Sequence, residues 1–365
     1  MFKLSKKKNL SPKKILILFN LSMDMNDPIL KFIQDWVGEF LKHYDEVFVF
    51  ATHVGIYRQH PNLKVKELGG GSAMLRLRAI FRLIMISPFI YFKRSEIVVF
   101  HHMSTITTIF PGILIKMFGI RQGLWYSHSK ADKFIEKGAH FMDAIFSPHK
   151  ESFPIKDKSL PVHFSGHGIN SPYVKIYNNK RVYDSEIVIL SVGRVARVKK
   201  LEMLIETCGK MTTKVRNRIR IIIVGPVNDE HYLLELKLLA DQNSVRTDFL
   251  GSMKTKTLVE SYSSSHFYYM GTPSSVDKAA LEASFFGCIP LSNNHALQDL
   301  SGSGNLFRKY QIDKQNLESQ LQTLMKLDKR SLEDIAETVA ETARKYNNLN
   351  DLIAYIVRVL SKDVY

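Results

Sequence analysis

The chain has almost no cysteine: Cys208 and Cys288 are the only two in 365 residues. A pair so far apart builds neither a disulfide framework nor a cysteine-based zinc site, and it fits a reducing compartment, with the cytoplasm expected. Long apolar runs are also missing, and none approaches the roughly 20 residues that span a bilayer. The start, "MFKLSKKKNLSPKKILILFNLSMDM", has too short an apolar part for a signal peptide and no small-x-small cleavage site. Residues 1–12 therefore read as a loose basic tail and 13–20 as a first buried strand. No Gly-x-Gly-x-x-Gly follows a strand, so a nicotinamide or flavin fingerprint lacks support. "GGGSAMLR" at 69–76 lacks the Lys-Ser or Lys-Thr of a phosphate-binding P-loop, and "SGSGN" at 301–305 fits neither motif. His163 and His167 are four apart, but "HFSGHG" reads as strand and turn, so no metal site is expected. Acid is in short supply as well: Asp plus Glu number 35 against 51 Lys plus Arg. That excess attracts nucleic acid, an acidic membrane surface or a phosphorylated ligand. No nucleic-acid-binding module is recognisable, so nucleic acid is not the expected partner.

What is present is alternation. In the first half the strand-type runs are "KKILILFN", "EVFVFATH", "EIVVFHH", "QGLWYSHS", "DAIFSPH" and "PVHFSGHG". In the second they are "EIVILSVGR", "RIIIVGP", "RTDFLG", "HFYYMG" and "CIPLSN". Helical periods fill 29–43, 104–118, 199–212, 230–243, 254–264 and 278–286, and the tail from 330 to 361 reads as two helices. This predicts an α/β protein of two Rossmann-like, doubly wound domains facing a central cleft. The weakest pattern, 169–186, is the expected linker. The expected domains are 1–172, 173–345 and a last helix, 346–365, packing back toward the first.

"ILSVGRVARVKKLEMLI", at 189–205, sets a Gly-Arg pair and a basic cluster between a strand and a helix. A helix start carries unpaired amides and partial positive charge, so cations are badly placed there unless an anion joins them. Arg194 and Lys199 together therefore point to a phosphate site. His101, His102, His128, His163 and His167 fall at strand ends, and His128 closes a strongly apolar strand, where it serves either structure or a site. Asp277 stands where a helix N-cap is expected.

"SVGRVARVKKLEMLI", "IIIVGP", "DFLGSMKTKTLVESYSSS" and "MGTPSSVDKAALEASFFGCIPL" follow one another in an order that resembles the nucleotide-sugar half of retaining GT-B glycosyltransferases, group 1 or family 4 type. The likeness is strong over 186–310 and fainter over 13–172. It implies that Arg194 and Lys199, beside Gly193, hold the donor diphosphate, and that Glu282 takes the ribose hydroxyls with its two acceptor oxygens. Ser274 and Ser275 would open the helix whose free amides meet the phosphates, while Gly225, Pro226, Leu250 and Gly251 bracket the base. "WYSHS" is similar to the strand end bearing the family's cleft histidine, which gives His128 the sugar or the acceptor hydroxyl. Two departures stand out. The family's Glu eight residues before Glu282 is Ser274 here, with Asp277 as a substitute, and Lys200 replaces a Gly.

"AMLRLRAIFRLIMISPFIYFKR", at 73–94, mixes Arg76, Arg78, Arg82, Lys93 and Arg94 with bulky apolar residues and holds no acid. It reads either as a helix lying in an anionic membrane surface or as a core-facing helix with a basic edge. The membrane reading assigns Arg76, Arg78, Arg82 and His102 to the acceptor side. The resemblance thus implies a hexosyltransferase that moves a sugar from a nucleotide sugar to a glycan or lipid-linked hydroxyl in surface polysaccharide or glycoconjugate synthesis; the cysteine count places it in the cytoplasm, and the membrane reading of 73–94 places it at the inner face of the membrane. It needs no cofactor or metal. The rivals are a sugar-nucleotide-binding protein without transfer activity and a basic nucleic-acid binder.

Overall fold

Strand β1 (Ile15–Met23) shows no alternation because both of its faces are covered: Ile15 through Phe19 are all buried. Buried, near-continuous apolar strands of this kind belong to parallel sheets flanked by helices. The computed structural model describes residues 13–27, 30–69, 92–170, 181–183, 186–272 and 276–361. Within it the chain divides into two units. One comprises Met1–Ser147, Phe153–Phe164 and Asn350–Tyr365, and the other Pro148–Ser152 and Ser165–Leu349.

The first unit holds a seven-stranded sheet in the order β3-β2-β1-β4-β5-β6-β7. Its members are β1, β2 (Glu46–Val54), β3 (Leu63–Glu67), β4 (Ile97–His102), β5 (Gln122–Trp125), β6 (Ala144–Ser147) and β7 (Val162–Phe164). All pairings are parallel, with Ile15 opposite Glu46 on one side and Ile97 on the other. Helix α1 (Ile33–Phe40) follows β1 and buries Trp36, whose ring centroid lies 5.0 Å from that of Trp125. Helix α2 (Thr105–Met117) joins β4 to β5. Every expected strand of this half is present, and β3 is an addition. Its "LKVKE" alternates half-buried Leu63 and Val65 with exposed lysines, as an edge strand does, and reads weakly beside its buried neighbours.

The second unit has five parallel strands in the order β10-β9-β8-β11-β12: β8 (Ile187–Val192), β9 (Ile219–Val224), β10 (Arg246–Phe249), β11 (Phe267–Tyr269) and β12 (Ile289–Leu291). Around them run α3 (Leu201–Gly209), α4 (Glu230–Gln242), α5 (Thr255–Ser264), α6 (Lys278–Phe285), α7 (His295–Leu300), α8 (Ser303–Lys309), α9 (Leu317–Leu324) and α10 (Lys329–Tyr346). The five expected strands are all there. Most of 169–186 lies outside the described residues.

Helix α11 (Leu349–Leu360) carries the chain back to the first unit. Its Leu360 methyls sit where Gly123 leaves room, since a Cβ there would meet them at 3.0 and 3.1 Å. Val359 O accepts from Arg121 Nη2 at 3.3 Å, and Tyr355 Oη meets His163 Nδ1 at 2.8 Å.

Among the histidines buried in the two cores, three are held neutral by burial. His101 meets Thr107 Oγ1 at 2.8 Å and donates from Nε2 to Gln122 Oε1 at 3.2 Å. His266 accepts from Val188 N–H at 3.1 Å and donates to Val182 O at 3.3 Å. Burial holds the pKa of His101 and His266 down to about 4 and that of His167 down to about 3, from a usual 6.5. Below pH 6.5 the unfolded chain takes up protons that the folded chain refuses, so stability is lost as pH falls from about 6.5 toward 4. The slope is ~1.4 kcal/mol per pH unit for each histidine. Urea unfolding is therefore expected to show a lower midpoint at pH 5 than at pH 7, and equal midpoints would contradict the three neutral histidines.

Candidate functional site

In the second unit the chain leaves β8 toward β9 and returns on the other side as β11. The loops after β8 and β11 diverge at this switch point, where open α/β sheets leave a crevice at their carboxyl ends. The "GRVARVKK" segment follows β8, and the loop leading to α6 follows β11.

Lys199 is fixed there by its surroundings. Gly193 has φ of +140°, and a Cβ on it would stand 2.9 Å from both Cε and Nζ of Lys199, so only glycine lets the ammonium lie against the strand end. Behind it, a Cβ on Gly271 would come within 2.4 Å of Lys199 O. Gly225, after β9, has φ of +147° and no room for a Cβ, which would fall 1.9 Å from Gly193 O. Backbone bonds tie the loops together: Gly193 N–H to Val224 O at 2.8 Å, Val195 N–H to Pro226 O at 2.9 Å, and Gly225 N–H to Gly251 O at 2.8 Å.

The Lys199 ammonium meets the carboxylate of Asp277. Asp277 occupies the N-cap position of α6, as expected, but its side chain caps nothing because Lys199 holds it; its own N–H points at Met270 Sδ, 3.4 Å away. Beneath the pair, Tyr268 donates to Val192 O at 3.1 Å, and burial, then the Asp277 charge, holds its hydroxyl protonated. Arg194 is exposed and has no ion-pair partner among the described residues, whereas Arg197 is taken up by Glu235 at 2.9 Å and by the Tyr232 ring. Glu282, on α6, accepts from the buried Tyr262 hydroxyl at 3.3 Å and has Lys278 at 3.9 Å. Leu250 and Gly251 close β10, and Leu250 is exposed. Gly193, Arg194, Lys199, Gly225, Pro226, Leu250, Gly251 and Asp277 thus gather at the carboxyl ends of four strands of one unit, with Glu282 on the helix that follows. Ser274 and Ser275 lie outside the described residues.

In the first unit, His128 is exposed three residues beyond β5, and its Nδ1 accepts from Lys130 N–H at 3.0 Å. His102, expected on an accessible acceptor side, is instead buried, with its ring centroid 4.7 Å from that of Trp36 and 5.7 Å from that of Phe32. Arg76, Arg78 and Arg82 lie outside the described residues. Sequence reasoning missed a polar group at this unit's own switch point, between β1 and β4: the Asn20 amide, the Ser22 and Ser104 hydroxyls and the Trp36 indole N–H are buried without a hydrogen-bond partner among the described residues. Buried polar atoms in this state call for water or ligand. Their signal was Asn20 and Ser22 alternating out of an otherwise apolar strand. Among the described residues no three His, Cys, Asp or Glu side chains stand close enough to hold a metal ion.

Two parallel sheets wrapped by helices are the architecture of the GT-B glycosyltransferases. Solved structures agree over nearly the whole chain. The Anabaena protein HepE in complex with UDP and glucose matches with a TM-score of 0.67 at 10% identity, covering 95% of this chain and 99% of that one. A Rickettsia africae glycosyltransferase matches with 0.69 at 12% identity, covering 96% and 100%. A Burkholderia vietnamiensis trehalose-phosphate synthase, UDP-forming, matches with 0.67 at 10% identity, covering 95% and 99%. No curated protein matches by sequence. Residues 175–330 match the family Glycosyl transferases group 1, and the chain is a nucleotide-sugar-dependent glycosyltransferase of the GT-B fold.

Lys200, where the family carries glycine, sits at φ +50°, a conformation that L-residues avoid; its carbonyl accepts from Tyr269 Oη at 2.7 Å. Lys200→Gly relieves that strain at the cost of extra freedom in the unfolded chain, and a net stabilisation of about 1 kcal/mol is expected. A thermal melt of the ligand-free protein checks this: an unchanged or lowered midpoint would show that the Lys200 side chain makes good the strain.

Proposed function

We propose that the enzyme transfers a hexose, with retention of configuration, from a nucleotide sugar to a hydroxyl of a glycan or lipid-linked acceptor in surface polysaccharide or glycoconjugate synthesis. The observation that carries this is Lys199, held over Gly193 at the switch point of a group 1 domain, with Arg194 unpaired at the same strand end. Departure of the nucleoside diphosphate leaves negative charge on its terminal phosphate, and donors fixed in advance around that charge supply several kcal/mol of transition-state stabilisation. Arg194, Lys199 and the start of α6 supply them in the place a metal ion would otherwise take. Glu282 accepts the ribose hydroxyls. Pro226, Leu250 and their neighbouring glycines border the base, and the UDP and UDP-glucose bound to HepE make uridine donors the first to assay.

In the step itself the anomeric carbon–oxygen bond breaks and its electron pair stays on the phosphate. The acceptor oxygen forms the new bond from the same face, and its proton passes to the departing phosphate. His128 is assigned to the sugar or the acceptor hydroxyl. Asp277 stands in for the family's Glu at Ser274: it holds Lys199 in place while the site is empty and turns to a donor-sugar hydroxyl once the diphosphate neutralises the ammonium. The enzyme works at the cytoplasmic face of a membrane, and among the described residues no helix is long and apolar enough to cross one.

A panel of nucleotide sugars, assayed for nucleotide release with and without membrane-lipid extract, tests the reading, and absence of release with every donor would overturn it. Lys199→Ala is expected to lower kcat/KM by about 100-fold or more while the melting temperature holds. Asp277→Asn is expected to bind the product nucleoside diphosphate more tightly, since it removes a negative charge from the phosphate site, and to turn over at least about tenfold more slowly. Calorimetry and initial rates separate the two effects, and equal affinity in wild type and variant would take Asp277 out of the site.

A further inference from the structure

Helix α2 is built inside out. Its buried face carries Thr105, Thr107, Thr108, Pro111, Gly112 and a single large apolar residue, Ile115. Its outward face carries Phe110, Ile113, Leu114 and Met117, exposed by 55, 37, 39 and 74%. The spacing of these four, at i, i+3, i+4 and i+7, aligns them in one stripe along the helix. Core packing accounts for the inward set: a Cβ on Gly138 would strike Thr108 Oγ1, so only small side chains fit between α2 and that turn. Core packing does not account for the outward set, because a helix facing water carries polar residues there.

Charge identifies what covers the stripe. Helix α2 contains no acidic residue, and its one ionic side chain, Lys116, adjoins Met117. Phe92, 81% exposed, stands five residues before β4 and is followed by Lys93 and Arg94. The acids that reach these lysines make pairs whose ammonium stays open to water, Lys116 with Asp143 at 2.6 Å and Lys93 with Glu96 at 3.0 Å. Pairs of that kind hold weakly and exchange readily for another anion. A second copy of the chain would set lysine against lysine across a two-fold contact, with a positive excess of 16 on each side. An anionic lipid surface instead offers apolar depth to the stripe and phosphates to its edge.

We propose that the outward stripe of α2, continued by Phe92, is the face on which this enzyme rests against anionic lipid. Phe110, Ile113, Leu114 and Met117 enter the boundary between headgroups and acyl chains, and Lys116, Lys93 and Arg94 meet lipid phosphates. The inference deepens the lipid-linked acceptor reading, and its purpose rests on that reading, although its test does not.

The full chain is sedimented with phosphatidylcholine vesicles made with and without phosphatidylglycerol. Binding is expected to the anionic vesicles and to weaken with added salt. The double variant Phe110→Ser, Met117→Ser is expected to lose affinity by on the order of tenfold or more. Both positions are exposed, so its melting temperature should stay at the wild-type value; Leu114→Ser provides a second variant should the first fail to fold. Nucleoside diphosphate binding, measured on the same variants, is expected to be unchanged, which separates failure of this surface from failure of the transferase reading. Three results would overturn the proposal: no sedimentation of wild type with either vesicle, full retention of binding by a folded stripe variant, or a wild-type dimer that the variant dissolves with no lipid binding by either protein.

Discussion

An ammonium placed where a strand ends and a helix begins needs an anion, and in this enzyme the chain supplies one of its own. Lys199 meets Asp277 across the point where the second sheet reverses its order. Much of the local architecture follows from keeping that contact in place: Gly193 and Gly271 give the lysine room, and Gly225 lets the next loop close over Gly193. The Tyr268 hydroxyl satisfies both backbone groups of Val192 below the pair. A half-buried ion pair gains little net stability, because the desolvation of its two charges offsets their attraction. The glycines that surround this one make sense chiefly if the lysine has to be in that position for something other than folding.

The same pair reconciles a motif with its departure. Where the family has glutamate, this chain has Ser274, and a carboxylate reappears three residues later on Asp277. Because Asp277 begins α6, its backbone direction is set by the helix, and its side chain reaches back to Lys199 instead of capping. In the proposed reading the phosphate site carries its own counter-ion, which keeps Lys199 in place. In that reading an entering diphosphate would compete with Asp277 for Lys199.

Much of this was legible in the sequence because the relevant signals are local. Eleven strand-type runs are visible as buried apolar stretches, and the Gly-Arg pair with Lys199 five residues on is unusual enough to single out. Strand β3 escaped because alternating Leu63, Lys64, Val65, Lys66 at a sheet edge carries little apolar weight. His102 was misplaced for the opposite reason. A histidine at a strand end looks accessible until a helix, here α1 with Trp36, is laid over it. The pairing of Lys199 with Asp277 depends on loops 78 residues apart, and the outward stripe of α2 shows only when the buried face is known. Sequence periodicity finds an apolar stripe, but packing decides whether it looks inward.

The return of α11 to the first unit has a consequence for how the protein is made. Leu360 fills the space above Gly123, and Tyr355 meets His163, so the first unit is finished by residues made after the whole of the second. While the second unit emerges, the face of β5 beside Gly123 waits without its cover. A nascent chain that stalls or is clipped within α11 can therefore hold a completed second unit and an unsealed first one, which makes that helix a natural point of quality control.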